Sequence, residues 1–201
     1  MPKIVDADAA RGRIAEAACR AIAAKGLGRV TMRDIAAEAG ATTGMVLNYF
    51  ENKEAILAAA LRQPFQAVRA GIEAQIAAGT SDLAVILDCM IPATPEARAD
   101  VAVWVSFWGT LATDEDARAL NRTLHAEALE MYDRALAHAW PETREWPPHV
   151  RQTVRRGIVT FLFGLNAGGV TNPGTWPPEE QRDQLALYLA LIRDWANAQP
   201  G

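Results

Sequence analysis

The sequence predicts an all-α protein of about nine helices, with a short-helix unit at the N-terminus and a helical bundle behind it. Three observations carry this. No alternating run of β-branched and aromatic residues lies between turn signals, so strand patterning is nearly absent. Apolar residues recur at three- and four-residue spacing along most of the chain. Hydroxyl and acidic residues that cap helices, and glycines that end them, punctuate those runs. With 201 residues, 50% hydrophobic and 22% charged, the chain suits one domain or two small ones with a packed core.

The elements follow in order. Asp8 to Lys25 carries Ile14, Ala17, Ala18, Ala21 and Ile22 on one face and stops at Gly26. Thr31 caps a short helix ending near Ala39, with Asp34 at its third position, and Gly40 suits a left-handed turn. Thr42 caps a second short helix reaching Tyr49. Asn52 caps a third, with Glu54 in its first turn, running to about Ala77 with a kink expected at Pro64. Gly79-Thr80-Ser81 is a break, and a short apolar helix runs to Ile91 before Pro92. Thr94-Pro95-Glu96 is a start signal for a helix through Leu111. Thr113 with Asp114-Glu115-Asp116 opens the next, to about His138. A proline-bearing loop, a helix over 149–169, a second loop from Thr171 to Pro178 and a last helix to Asn197 complete the chain.

Composition narrows the function classes. Twenty basic against 24 acidic residues leave a net charge of −4, which excludes a uniformly basic nucleic-acid coater. The first 62 residues hold nine basic and seven acidic side chains and all three lysines; the remainder holds eleven and seventeen. This asymmetry points to an N-terminal module facing a polyanion. Cys19 and Cys89 cannot build a disulfide scaffold and read as buried small hydrophobes. MPKIVDADAARG has no apolar leader, and the uncharged stretch from Gly157 to Pro178 is too broken to span a bilayer, so a cytoplasmic location is expected. No cofactor or metal is expected: no H-E-x-x-H, C-x-x-C, G-x-S-x-G or P-loop pattern occurs.

The informative stretch is TMRDIAAEAGATTGMVLNYFENK, Thr31 to Lys53. Two short helices crossing steeply need a small residue at the crossing, a turn residue that tolerates positive φ, and apolar residues toward the supporting helix. Ala36, Gly40, and Ile35, Ala39, Ala41, Val46 and Tyr49 meet these requirements in turn. The second helix then enters a DNA major groove by its N-terminal end. Thr42 and Thr43 offer hydroxyls there, and Gly44 lets the backbone approach. Met45 and Leu47 suit thymine methyl groups, and Asn48 suits adenine or a phosphate. Tyr49 suits a phosphate through its hydroxyl, and Phe50 reads as core. Lys53 is a phosphate anchor at a helix start. Arg33 is either a second anchor or a solvated surface charge.

These residues resemble the TetR family of bacterial transcriptional repressors, whose members share T-[VM]-R-[DE]-I-A-x-x-A-G and a following G-x-[LV]-x-x-[HY]-F-x-[SN]-K-E pattern. The resemblance covers about residues 8–60. It implies a helix-turn-helix DNA-binding domain over 1–52 and a helical ligand-binding and dimerisation domain over 53–201. It also implies a homodimer on a palindromic double-stranded operator, released by a small-molecule effector. The DNA contacts it implies fall on Thr31, Thr42, Thr43, Gly44, Leu47, Asn48, Tyr49 and Lys53. Leu47 stands where many members carry a phosphate-touching tyrosine, and leucine has no hydrogen bond to offer. VWVSFWGTLATDEDARALNRTLHAEALEMYDRAL and GIVTFLFGLNAGG more diffusely resemble the choline-responsive BetI-like branch.

Two further readings concern the C-terminal half. Trp104, Phe107 and Trp108 share a helix face and, with Tyr132 as a wall and Asp88, Asp100 or Glu127 as counter-charge, form a candidate cage for a quaternary amine. The same spacing is equally that of an ordinary core, and a generic apolar effector is the alternative ligand. Val154, Ile158, Phe161, Leu162 and Leu165, beside Gly157, Gly164 and Gly168, make one apolar face, and the last helix supplies Leu185, Tyr188, Leu189, Ile192 and Trp195. They read as a dimer seam or as internal packing. An all-helical enzyme and a helical adaptor without DNA are the competing classes.

Overall fold

The computed structural model describes residues 3–199, with side-chain surroundings from residue 7 onward. Among the described residues there are nine α-helices, two short 3₁₀ turns and no strand. In chain order the helices are α1 (Lys3–Lys25), α2 (Met32–Glu38), α3 (Thr43–Leu47), α4 (Lys53–Ala77), α5 (Leu83–Leu87), α6 (Pro95–Trp108), α7 (Glu115–Ala139), α8 (Pro148–Thr171) and α9 (Pro178–Asn197). The 3₁₀ turns are Asp88–Met90 and Pro141–Arg144. The chain divides into two compact units. One comprises the chain up to Ala67 with Ala99–Asn121, the other Val68–Arg98 with the chain from Arg122 onward. The boundary expected between residues 52 and 53 falls inside the first unit.

Caps explain most of the helix ends. The Thr31 hydroxyl accepts from the Asp34 amide at 3.3 Å while the Asp34 carboxylate accepts from the Thr31 amide at 2.9 Å, a reciprocal box that satisfies two orphan donors of α2. Thr42 accepts from the Met45 amide at 3.2 Å, and Asn52 from Ala55 at 2.8 Å. Thr94 accepts from Ala97 at 3.1 Å. Two further starts are capped by aspartate. Asp114, rather than Thr113, caps α7, accepting from Ala117 at 3.0 Å, and Asp82 caps α5 through the Ala84 amide at 2.8 Å. Aspartate accepts through either oxygen and holds a charge at the positive end of the helix.

The turn after α2 is closed by backbone bonds from Ala41 to the Ala36 carbonyl, 2.8 Å, and from Gly40 to that of Ala37, 3.1 Å. This pairing needs a left-handed residue, and Gly40 sits at φ +64°. A Cβ placed there meets nothing within 4 Å, so only backbone strain opposes a side chain. Gly40→Ala is therefore expected to cost about 1–2 kcal/mol, read as a shift of the urea midpoint with an unchanged slope. An unchanged midpoint would show that this turn does not need its glycine.

In the first unit α1 packs on α2 and α2 on α3. Ile14, Ala17, Ala18, Ile22, Ile35, Val46, Ile56 and Leu61 are buried. The Cys19 thiol donates to the Ala60 carbonyl at 3.1 Å, tying α1 to α4, and burial pushes that thiol up to about 12. Ion pairs Arg20–Glu38 at 2.7 Å and Lys25–Asp34 at 2.6 Å bridge α1 to α2.

The second unit has its own core, built from α5, α7, α8 and α9 around residues such as Ile86, Leu136, Val154, Ile158, Leu162 and Leu185. The loop residues Trp140 and Trp146 are part of it. Trp140 and Trp146 lie 6.1 Å apart, and the Trp146 indole donates to Asn197 Oδ1 at 2.9 Å. Cys89 differs from its sequence reading: it is exposed, at a 3₁₀ turn where only a glycine, Gly71, leaves room for its sulfur.

Candidate nucleic-acid interface

The helix pair α2–α3 sorts its side chains cleanly. Ile35, Ala36 and Val46 are buried; Ala39, Ala41 and Tyr49 are half-buried. On the other side Thr42, Gly44, Met45, Leu47 and Asn48 face solvent, with Thr43 half-buried. This is the arrangement a groove-reading helix needs, because α3 rests on one valine and offers the rest outward. α3 is shorter than its sequence reading. Asn48 is already its C-cap, and the Tyr49 and Phe50 amides both return to the Val46 carbonyl, at 3.0 and 3.1 Å. Phe50 is buried, with the Arg11 guanidinium 5.4 Å over its ring.

The hydroxyls differ in what they have left to give. Thr42 uses a lone pair for its cap and keeps its hydrogen as a donor. Thr31 donates its hydroxyl hydrogen to Asp34 Oδ2 at 2.8 Å, and its amide goes to the same oxygen. Both Thr31 donors are therefore engaged, which makes it a residue that positions α2. The Lys25 ammonium and the Thr31 donors together hold the Asp34 carboxyl well down, at about 2. Sequence spacing places Asp34 in the cap but gives no sign of Lys25, which reaches it across the loop. Lys53 is the first residue of α4, half-buried beside amides that the helix itself leaves unbonded. Arg33 is exposed on α2.

The family model described as "Bacterial regulatory proteins, tetR family" matches residues 14–60, which contain this whole surface. The one described as "BetI-type transcriptional repressor, C-terminal" matches residues 79–194, more than half the chain. This chain belongs to the TetR family. It is a DNA-binding transcriptional regulator with a BetI-type C-terminal half. The HTH-type transcriptional regulator BetI of Burkholderia thailandensis is 24% identical over 196 residues, covering 96% of this chain and 97% of that one. A transcriptional regulator from a Rhodococcus species shares the fold at TM-score 0.74 and 19% identity, over 94% of this chain and 99% of that one. A Saccharomonospora viridis protein solved in complex with choline superposes at TM-score 0.71 and 20% identity, over 91% and 96%.

In this TetR-family chain the aromatic residues of α6 do cluster. Trp104 meets Phe107 edge-on with centroids 5.9 Å apart, and lies 6.4 Å from Trp108. Phe107 is buried, while both tryptophans are half-buried. Asp100, one turn earlier on the same helix, is half-buried, and burial raises its pKa. Tyr132 belongs to the other unit, buried in its core with its hydroxyl donating to Met90 Sδ at 3.1 Å. Asp88 is paired with Arg182 at 2.6 Å, so its charge is already met. A cleft of about 600 Å³ opens in the second unit beside Trp146, Arg144, Arg151 and Arg155; the α6 aromatics do not line it.

The α8–α9 faces also resolve. Val154, Ile158, Leu162, Leu165, Leu185 and Leu189, which suited a seam or a core, are core within the chain. Phe161 stacks on Tyr188 at 4.1 Å, and a Cβ at Gly157 would meet the Tyr188 hydroxyl at 2.5 Å, so that glycine seats α9 on α8. What α9 leaves outside is Leu187, Leu191 and Trp195, four apart on one face.

Proposed function

We propose that this regulator is a homodimeric repressor that holds a palindromic operator and leaves it when a small molecule occupies its C-terminal half. The observation that carries the reading is α3: one buried valine beneath five solvent-facing residues, with Lys53 beside it at the start of α4. Residues 1–52 form the DNA-binding part and 53–201 the ligand and dimer part. Thr42, Thr43, Tyr49 and Lys53 contact phosphates, with Arg33 as an outlying anchor and Thr31 holding α2. Gly44, Met45, Leu47 and Asn48 face bases. It works in the cytoplasm, where its operator lies, and regulates without catalysing a reaction.

Leu187, Leu191 and Trp195 form the apolar stripe for a second copy of the chain. A two-fold dimer sets the two α3 helices roughly 34–36 Å apart, one turn of duplex. An effector favouring another spacing lowers affinity by its preference between the two states, about 5–150-fold for 1–3 kcal/mol of coupling. Pro64, inside α4, removes one helix hydrogen bond and is where α4 absorbs that motion.

Lys53→Ala and Tyr49→Phe test the DNA part. Both proteins are expected to keep the helical spectrum and lose operator affinity in a mobility-shift titration. Unchanged affinity in both would favour the adaptor reading.

For the effector, a choline-like quaternary amine fits best. Trp104, Phe107 and Trp108 provide aromatic faces, Asp100 is a nearby carboxylate, and a structural neighbour was solved with choline. Trp108→Ala is expected to bind operator normally but to stay bound at choline concentrations that release the wild type. Normal release by the variant would move the pocket elsewhere.

A further inference from the structure

The outward face of α3 has a one-sided chemistry. From Thr42 to Phe50 the sequence holds no Arg, Lys, Gln, Asp or Glu. Its largest exposed side chains are Met45, at 54%, and Leu47, at 49%. Guanine is read most often by Arg or Lys on O6 and N7, and cytosine by a carboxylate on its N4 amino group. Neither group is present on this helix. The nearest basic side chains in sequence, Arg33 and Lys53, stand on α2 and at the start of α4. Thymine is the base whose major-groove edge carries an apolar group, its 5-methyl, and a thioether and an isobutyl chain suit it. Asn48, exposed one position on, carries the donor–acceptor amide that matches adenine, thymine's partner.

We infer that α3 reads thymine 5-methyl groups, with Met45 and Leu47 as the specificity-determining residues and the half-sites A·T-rich beneath them. This rests on α3 being the DNA-reading helix and names what it reads. Covering Met45 and Leu47 with methyl groups removes from water the apolar surface that the free chain leaves exposed. Burial of one methyl corresponds to about a fourfold change in affinity, and about 16-fold when the equivalent thymines of both half-sites are changed.

The test begins with the full-length protein selecting duplexes from a random pool. In the enriched duplex each thymine is then replaced by deoxyuridine, which lacks only the methyl and leaves the minor groove unaltered. The expected result is A·T-rich half-sites in which one or two deoxyuridines per half-site each weaken binding about fourfold. In the Met45→Ala/Leu47→Ala protein the same replacements should have no effect on the affinity that remains. Both side chains are exposed, so the double variant should keep its helical spectrum; if it does not, the wild-type deoxyuridine series decides alone. G·C pairs beneath α3, a silent deoxyuridine series, or an undiminished penalty in the variant would each overturn the inference while leaving DNA binding intact. Failure to enrich any duplex would remove the DNA reading itself, and this inference with it.

Discussion

Operator affinity is expected to fall about 10³–10⁵-fold when salt rises from roughly 50 to 200 mM, if the proposed dimer makes about 6–10 phosphate contacts. The expectation follows from the surface. Thr42, Tyr49, Lys53 and the opening α4 amides beside the one that Asn52 caps offer several donors per chain, and the proposed two-fold dimer would double them. Phosphate contacts release condensed counterions, so each steepens the dependence of affinity on salt. The protein as a whole is acidic, at −4, and cannot attract DNA by net charge. Attraction has to come from the N-terminal residues, where basic side chains outnumber acidic ones. Fluorescence anisotropy on a labelled operator across a salt series measures the slope. Lys53→Ala should make it shallower by about one unit for each phosphate that the lysine neutralises, and a flat slope would contradict DNA binding through phosphates.

The second large effect is structural. Ile35→Ala is expected to destabilise the protein by about 2–5 kcal/mol, a large share of the roughly 5–15 kcal/mol available to an ordinary domain. Ile35 is fully buried, and α2 is only seven residues long, so few neighbours on its own helix can close the cavity. Leu47→Ala is the control. It removes a side chain of similar size from an exposed position of the neighbouring helix and should change stability by less than about 0.5 kcal/mol. Urea titration distinguishes the two. Equal costs would mean that α2 and α3 do not present their residues as described.

Much of the DNA-facing half is legible in the sequence, because its signals are local. A cap hydroxyl, an acid three residues on and a glycine at the turn act through backbone bonds within a few residues, so the residue types alone place Thr31, Asp34, Gly40 and Thr42. The division of Ile35 and Val46 inward from Met45 and Leu47 outward follows from helical period alone. The end of α3 is less legible. Val46 accepts two successive amides, and Asn48 closes the helix before Tyr49, although nothing in the residue types forbids another turn.

The C-terminal half shows the limit. An apolar residue on an amphipathic helix announces that it will be covered, not by what. Val154, Ile158 and Leu162 suit a partner chain as well as they suit α9, and packing decides for the chain's own core. Trp195 reads with Leu185 and Leu189 as part of one apolar face, yet it is left uncovered with Leu187 and Leu191. Tyr132 is a candidate wall for the aromatic set by residue type, but its hydroxyl lies on Met90 in the other unit's core. The sequence alone therefore determined the helices, most of their caps and the outward chemistry of α3, which depend on neighbours along the chain. Tertiary structure alone decided which apolar faces remain open, because burial is a property of contacts between segments far apart in sequence.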